Sequence, residues 1–240
     1  MTYTIIARCP RTGQFGLATA SYSVAIGLYC DGAIRSNTGV TVTQGFPYPR
    51  NNRLAINLLA QGFTAQHALK QLAGSDPDFD YRQIGIVDRN ANAVAHSGTK
   101  IGGWCGHRIG EGYVALGSTL TGQKVVDAIA TRFAADAKAD LVDRLLSALE
   151  AGRDAGGIKG VNGHLPERSV ALVTYSKHDF NDIDIRVDLH DKAVDELRRI
   201  YEDYKPSIAY YDERARNPRN AIPAMEFADM LKNQQAKETT

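Results

Sequence analysis

The chain has 240 residues and a formal net charge of +1, from 28 basic and 27 acidic side chains. This length fits one layered α/β domain with a sizeable core. Because the two signs of charge are interspersed, nothing favours phosphate backbones or anionic lipid, and we expect neither a nucleic-acid nor a membrane partner.

The N-terminus and the cysteines indicate a cytoplasmic protein. A signal peptide has a basic and then an apolar segment, an order that the opening MTYTIIARCPRTG lacks. No apolar run approaches the roughly 18 residues of a membrane span. Cys9, Cys30 and Cys105 form no CxxC pair, which fits reduced thiols. We therefore expect a cytoplasmic protein whose mature chain begins near Met1.

The first third of the chain is predicted to contain a hairpin, a third strand and two helices. β-branched and apolar residues predict strands at 2–8, 15–26 and 33–43. The CPRTG turn joins the first two strands, and two prolines within residues 45–52 predict a loop after the third. Apolar spacing then predicts short helices at 54–60 and 64–73.

The rest of the chain repeats this order of hairpins followed by helices. The predicted strands are 82–88, 93–97, 113–117, 169–175 and 183–189. The predicted helices are one that Thr121 caps, one at 141–149 and one at 192–204. Because helix pairs alternate with hairpins rather than with single strands, we expect mostly antiparallel sheets with helices outside.

The C-terminal residues are predicted to lie outside the domain. Pro206 ends the last predicted helix. We therefore expect a domain over residues 1–205, followed by a polar tail or an embracing arm over 206–240. An apolar arm can hold a neighbouring copy, so we also expect a homo-oligomer. The residues that would make this contact are Tyr210, Tyr211, Met225, Phe227 and Met230.

Three local patterns fit either a binding site or ordinary structure. Residues 117–124 (GSTLTGQK) lie between a strand and a helix, where free backbone N–H groups can bind a carboxylate or an oxyanion, but they also fit a plain turn. Residues 182–190 alternate charged and apolar side chains, as in an acidic site or a solvated strand face. His96 and His107 flank a glycine-rich stretch, yet their spacing matches no zinc motif. We expect no metal and no cofactor.

Thr2 has the most specific chemical interpretation. Removal of Met1 would place a hydroxyl and a free α-amine on one residue, so nucleophile and base would coincide. An α-amine has an ordinary pKa of about 7.7–8.0, so part of it is neutral at cellular pH and accepts the hydroxyl proton. The alternative is that Thr2 is an ordinary strand residue.

Four separated segments resemble, in the same order, the bacterial family catalogued as domain of unknown function 1028 (DUF1028). They are TYTIIARCPRTGQFGLATASYSVAIG, VTQGFPYPRNN, AHSGTKIGGWCGHRIGEGYVALGSTLTGQKVVDAI and IDIRVDLHDKAVDELRRIY. The resemblance covers about residues 2–203. This family is placed with the N-terminal nucleophile (Ntn) hydrolases, which implies an α+β fold. Its form would be a four-layer αββα sandwich, with two mostly antiparallel sheets between helical layers.

The resemblance also implies an active site. Thr2 would attack an amide carbonyl, and water would then resolve the acyl-enzyme. Gly117 and Ser118 would lie near the oxyanion, and Ser21 and Gln44 would line the same substrate-binding cleft.

The chain departs from the family pattern at three positions. Cys9 stands where Asp is common, Tyr22 where Lys is common, and Ser118 where Asn is common. Each departure removes a polar group that could tune the amine or hold an oxyanion, and loss of one oxyanion donor costs about 10²–10³ in rate. Two functions are therefore carried forward. One is hydrolysis of a small amide-type metabolite; the other is a catalytically degenerate Ntn-fold protein that binds a small ligand or serves as a homo-oligomeric scaffold.

Overall fold

The computed structural model describes residues 1–238. They form two compact units, residues 1–197 and the residues from 198 onward. The strands are β1 (Thr2–Arg8), β2 (Phe15–Ser21), β3 (Ile34–Arg35), β4 (Gly39–Gly45), β5 (Arg82–Asp88), β6 (Ala93–Ser97), β7 (Trp104–Gly110), β8 (Tyr113–Leu120), β9 (Ile158–Gly160), β10 (Gly163–Leu165), β11 (Ser169–Tyr175) and β12 (Ile183–Val187). The helices are α1 (Pro49–Ala60), α2 (Ala65–Ser75), α3 (Gln123–Ala135), α4 (Leu141–Asp154), α5 (Ala193–Tyr204), α6 (Ile208–Arg216) and α7 (Ala224–Glu238).

The strands of the first unit form two antiparallel sheets. The larger sheet has the order β10-β9-β8-β1-β2-β11-β12, and β7 pairs with β8 as well. The smaller sheet has the order β3-β4-β5-β6. Strand β1 therefore lies in the interior of the larger sheet, hydrogen-bonded to β2 on one side and to β8 on the other. The predicted mixture of helices with antiparallel sheets is confirmed.

The two sheets face each other across an apolar core. Strand β1 contacts β4 and β5 of the smaller sheet. Alternate side chains of β1, β2 and β8, including Ile6, Leu17 and Leu116, are buried together with Val40 and Val42 of β4. Helices α3 and α4 contact the larger sheet, and α1 and α2 contact the smaller one. Each sheet therefore contacts the other sheet and one pair of helices.

Helix α1 begins earlier than the sequence predicted. Residues 45–52 were expected to form a loop because they contain Pro47 and Pro49, but Pro49 is the first residue of α1. The first N–H groups of a helix have no partner within the helix, and proline, which lacks this group, fits the first position at no cost. The prediction for residues 49–52 was therefore wrong.

The C-terminal unit is helical, and its role as a tail or an embracing arm stays a prediction. Helix α5 ends at Tyr204, as predicted, and a short turn containing Pro206 leads into α6. Within this unit the rings of Tyr210 and Phe227 stack with their centroids 3.8 Å apart. In the part of the chain that the structure describes, no helix is both long and apolar enough to cross a membrane.

A buried carboxylate ties α1, α2 and β5 together at one end of the smaller sheet. Asp76, which follows α2, is 5% exposed. It accepts hydrogen bonds from Asn51 Nδ2 at 2.8 Å and from Arg82 Nε at 2.9 Å. Burial alone would raise the pKa of Asp76, but the bonds from Arg82 and Asn51 outweigh burial and hold this pKa below its ordinary value of 3.8.

Replacement of Asp76 by Asn is expected to lower the free energy of unfolding by about 1.5–3 kcal/mol near neutral pH, because Arg82 loses a charged partner. A carboxyl with a depressed folded-state pKa stabilises the fold above its unfolded-state pKa. This contribution is lost as pH falls through the folded-state value. The difference between the two proteins should therefore shrink below about pH 4. Urea unfolding at several pH values measures this dependence.

The control for this experiment is Asp78→Asn. The Asp78 carboxylate is 63% exposed and lies 3.9 Å from Arg82 Nη2. An exposed pair of this kind contributes little, so Asp78→Asn should change stability by less than about 0.5 kcal/mol. Equal losses in the two variants would contradict the assignment of Asp76 as the anchoring carboxylate.

Candidate active site

Thr2 stands in a row of hydroxyl groups that crosses the larger sheet. It is the first residue of β1 and pairs with Ser21 of β2 and with Ser118 of β8. Ser21 in turn pairs with Ser169 of β11. Residues directly opposite each other in neighbouring strands share a face of the sheet. Because Thr4 and Ile6 of the same alternation meet the smaller sheet, this row faces the space between the sheets.

The hydroxyl of Thr2 donates to Ser21. The two oxygens are 3.0 Å apart. Ser21 Oγ donates its own hydrogen to the carbonyl oxygen of Met1, also at 3.0 Å, and accepts the N–H of Ser23 at 3.1 Å. With the single Ser21 hydrogen already used, the hydrogen between the two hydroxyls comes from Thr2. Ser21 therefore fixes the orientation of the Thr2 hydroxyl.

A pair of buried glutamines continues this network into the core. Gln44 Nε2 donates to the carbonyl of Thr2 at 3.4 Å and to Gln83 Oε1 at 2.7 Å. Gln44 Oε1 accepts the Thr4 hydroxyl at 2.6 Å. Thr4 Oγ1 also lies 2.7 Å from Thr19 Oγ1. Both ends of the Gln44 amide are thus bonded within the protein.

Gln83 connects the smaller sheet to β7 and β8. Its side chain is fully buried. The two hydrogens of Gln83 Nε2 are shared among three acceptors, the carbonyls of Gly106 and Gly117, both at 3.0 Å, and Ser97 Oγ at 2.8 Å. Gly117 has no room for a side chain, since a Cβ there would lie 2.3 Å from Leu120 Cδ1. A side chain at position 117 would therefore force the buried Leu120 side chain to move.

A cavity of about 180 Å³ opens beside Thr2. Four parts of the chain line it: the start of β1, the start of the segment that follows β2, the end of β4, and the short helical turn Ile26–Cys30. That turn is anchored from β11, because Ser169 Oγ accepts the N–H of Ile26 at 3.0 Å and donates to the carbonyl of Ser23 at 2.5 Å. The lining residues are Met1, Thr2, Leu17, Thr19, Ser23, Val24, Ile26, Tyr29, Cys30, Val42, Thr43, Gln44, Gly45 and Pro47.

Met1 places an α-amine and a carbonyl group beside Thr2, and the surroundings affect both groups. Burial lowers the pKa of the Met1 α-amine below its ordinary value, and the nearby Cys105 thiol opposes this shift. The carbonyl of Met1 receives two donors, the Ser21 hydroxyl at 3.0 Å and the backbone N–H of Tyr22 at 3.3 Å. An amine with a lowered pKa and a pair of converging donors therefore lie at the residue that precedes Thr2.

The structure brings some of the predicted site residues together and separates others. Thr2 and Gln44 line the cavity, and Ser21 bonds to Thr2 directly behind it. Gly117 and Ser118 are adjacent to Thr2 in the sheet but are absent from the cavity lining. Ser118 Oγ is buried and has no hydrogen-bond partner among the described residues.

Sequence reasoning missed three residues of this network. Thr4 and Thr19 carried a usable signal, because they alternate with Thr2 and Ser21 along two strands that are otherwise apolar. Gln83 carried none. It precedes the apolar run IGIV, and only the pairing of Gln83 with Gln44 between β5 and β4 places it at the site.

The other candidate patterns have structural explanations. In residues 182–190, Arg186 forms a two-point ion pair with Asp184, through Nε to Oδ1 at 2.7 Å and Nη2 to Oδ2 at 2.8 Å. The His96 ring stacks on Phe79, and His107 Nδ1 lies 2.9 Å from Ser97 Oγ. Within residues 1–238, no group of three His, Cys, Asp or Glu side chains is arranged to hold a metal.

The start of α3 also differs from its prediction. Thr121 was expected to cap this helix, but the residue at the cap position is Gly122, which offers no side chain. The Thr121 hydroxyl instead points to the carbonyl of Gly157 at 3.4 Å. The prediction of Thr121 as cap was therefore wrong.

Comparison with known proteins agrees with the resemblance seen in the sequence. A family model described as "Family of unknown function (DUF1028)" matches residues 2–197. A DUF1028 protein from Silicibacter pomeroyi, known from a crystal structure, is 25% identical with a TM-score of 0.75, and the match covers 85% of this chain and 89% of that one. Anbu from Hyphomicrobium sp. strain MC1 is 10% identical with a TM-score of 0.39, over 88% of this chain and 98% of that one. None of the curated proteins matches.

Proposed function

Because the chain belongs to the DUF1028 family, in which the resemblance places an N-terminal nucleophile at Thr2, we propose that it is an amidohydrolase acting on a small amide-type metabolite. One observation carries the proposal. The Thr2 hydroxyl lies 3.0 Å from the Ser21 hydroxyl, at the wall of a cavity large enough for part of a small molecule.

The same proposal includes the Ntn hydrolase-like architecture. The contacts of α1 and α2 with the smaller sheet, and of α3 and α4 with the larger one, support four layers in the order αββα. In such a sandwich the N-terminus of an inner strand reaches the edge of the space between the sheets. Thr2 is the first residue of β1 and faces that space. In this architecture the side chain of Thr2 would therefore face a bound ligand directly, and no loop would be needed to position Thr2.

The mechanism begins with removal of Met1, which frees the Thr2 amine. The Thr2 oxygen attacks the substrate carbonyl, and its proton passes to the amine of the same residue. The amine gives this proton to the leaving nitrogen as the C–N bond breaks, and an ester joins the acyl group to Thr2. The amine then takes a proton from water, whose oxygen attacks the ester. The carboxylic acid leaves, and the Thr2 hydroxyl is restored.

Two local features support this sequence of steps. Burial lowers the pKa of the Met1 amine, and we expect the same for a Thr2 amine because Thr2 is itself buried. A lower pKa leaves more of the amine neutral and able to accept a proton. Loss of Met1 also leaves the Ser21 hydroxyl and the Tyr22 N–H without their present acceptor. These donors can then bind the negatively charged oxygen that forms during attack.

The proposal predicts that Thr2 is acylated only when its amine is free. The protein is first checked by intact mass for the absence of Met1 and is then incubated with p-nitrophenyl acetate. We expect one acetyl group on the N-terminal peptide, and we expect hydroxylamine to remove it, because hydroxylamine cleaves an ester and leaves an amide intact.

The matched control carries one extra glycine between Met1 and Thr2. It keeps the Thr2 hydroxyl but moves the amine one residue away, so it should show no hydroxylamine-sensitive acetylation. Equal ester formation in both proteins, or none in the protein that lacks Met1, would count against Thr2 as a self-activated nucleophile. Met1 retained in the native protein would instead favour a ligand-binding role.

A further inference from the structure

The cavity beside Thr2 has no charged side chain in its walls. Its lining contains no Asp, Glu, His, Lys or Arg. Its inner wall is formed largely by Leu17, Ile26, Cys30 and Val42, all of which are buried. Cys30 is neutral as well, because burial raises the pKa of its thiol to about 12. Apart from the N-terminal α-amine, a charged ligand group that enters this cavity therefore meets no side chain of opposite charge.

Two polar side chains of the lining, Gln44 and Thr19, are bonded within the protein. Both ends of the Gln44 amide are bonded to Thr2, Thr4 and Gln83. Thr19 Oγ1 lies 2.7 Å from Thr4 Oγ1. The Thr43 hydroxyl also lines the cavity and has no hydrogen-bond partner among the described residues, so it can bond one neutral polar atom of a ligand. A carboxylate or ammonium would still lose its hydration without gaining a side chain of opposite charge. An apolar group loses nothing of this kind and gains by leaving water.

Arg186 and Asp184, which lie behind one wall of the cavity, form an ion pair. Arg186 packs behind the Ile26–Cys30 turn, where a Cβ on Gly27 would lie 2.7 Å from Arg186 Cδ. Its guanidinium is held by both carboxylate oxygens of Asp184. The effects of Arg186 and Asp184 on Cys30 have opposite signs. This pair therefore offers no net charge to a ligand on the other side of the turn.

The size of the cavity limits the group that it accepts. Its volume is about 180 Å³, and a cavity of about 150 Å³ holds a benzene molecule. Met1 is part of the lining and is 42% exposed, so its removal widens the end next to Thr2. A group of roughly five to seven carbon atoms therefore fits.

We propose that this cavity binds the acyl part of the substrate, and that this acyl group is uncharged, apolar and about as large as a 4-methylpentanoyl or benzoyl group. This inference rests on the proposed function, since it takes Thr2 as the point of acyl attachment. The inference excludes two classes of substrate: amides of dicarboxylic acids, and amides whose acyl side chain carries an amine. Such substrates would bring a charge into an enclosure whose lining has no charged side chain to pair with it.

The first test compares two ligands of similar size, the neutral 4-methylpentanamide and the anionic glutaramate. Calorimetric binding to the Met1-free Thr2→Ala variant avoids turnover. We expect the neutral amide to bind at least about 100-fold more tightly, since an unpaired charge is costly to bury. Equal affinity, tighter binding of glutaramate, or binding of neither ligand would overturn the inference. Acetylation of Thr2 by p-nitrophenyl acetate would still report on the proposed function separately.

A second test moves a charge into the mouth of the cavity. Val24 lines the cavity and is 48% exposed, so Val24→Lys should fold normally. We expect this variant to raise the affinity for glutaramate relative to 4-methylpentanamide at least about tenfold, by supplying a counter-charge. The control is Leu28→Lys in the same turn, which is 66% exposed and outside the lining. The preference should stay unchanged there. Equal shifts in both variants, or no shift in Val24→Lys, would show that the acyl group lies elsewhere.

Discussion

Replacement of Thr2 by Ala is expected to lower kcat/KM for amide hydrolysis by at least about 10³-fold, because the variant keeps the amine but loses the attacking oxygen. The fold should survive. Thr2 contributes one side-chain bond, to Ser21 at 3.0 Å, and loss of one such bond costs about 1 kcal/mol. Initial rates with a chromogenic anilide, alongside urea unfolding of the same preparations, measure the two effects separately.

Thr2→Ser is the matched control for this loss. Serine keeps the hydroxyl, the neighbouring amine and the means to donate to Ser21, and lacks only a methyl group. It should therefore remain within roughly tenfold of the unaltered protein, the scale of a small positioning defect. Turnover of Thr2→Ala at the rate of the unaltered protein would end the nucleophile assignment. A loss of activity in Thr2→Ser as large as in Thr2→Ala would show that the methyl group, and not the oxygen, is what matters.

The sequence predicted the strands around Thr2 well because their signal is local. Residues 2–8, 82–88, 93–97 and 169–175 are β-branched or apolar and are bounded by turn residues, and each is a strand in the structure. Local signals failed where one residue type fits two structures. Pro49 ends a strand region in one interpretation and begins α1 in the other. The choice depends on packing of α1 against α2 and β4, which no short segment reveals.

Local sequence signals predict even less of the candidate site. Thr2, Ser21 and Gln44 were named from the resemblance, and the structure places all three around one cavity wall. The residues that complete the network are defined by register. Gln83 meets Gln44 because β4 and β5 pair with these two residues opposite each other. Ser118 meets Thr2 because β8 and β1 pair across more than one hundred residues of sequence. Contacts of this kind follow from strand pairing and leave no trace in local composition.

The buried polar residues of the site hold the two sheets in one register relative to each other. The carbonyl of Thr2 accepts from Gln44, Gln44 donates to Gln83, and Gln83 donates to two carbonyls on β7 and β8. This chain of bonds joins the smaller sheet to the larger one directly behind Thr2. A purely apolar contact between the sheets would permit small sliding movements, whereas directional bonds fix one arrangement. The position of Thr2 relative to the cavity therefore depends on Gln83.

Replacement of Gln83 by Leu is expected to lower the free energy of unfolding by about 3–5 kcal/mol. Leucine has a similar volume, so packing changes little, but the substitution removes the bonds to Gln44, Ser97, Gly106 and Gly117. Each buried polar group left without a partner costs about 1–3 kcal/mol. Urea unfolding measures the loss. The control is Gln71→Leu on the exposed face of α2, where the same substitution should change stability by less than about 0.5 kcal/mol. If Gln83→Leu were as stable as Gln71→Leu, the glutamine network would not hold the two sheets in register, and the positioning of Thr2 would have to come from the apolar core alone.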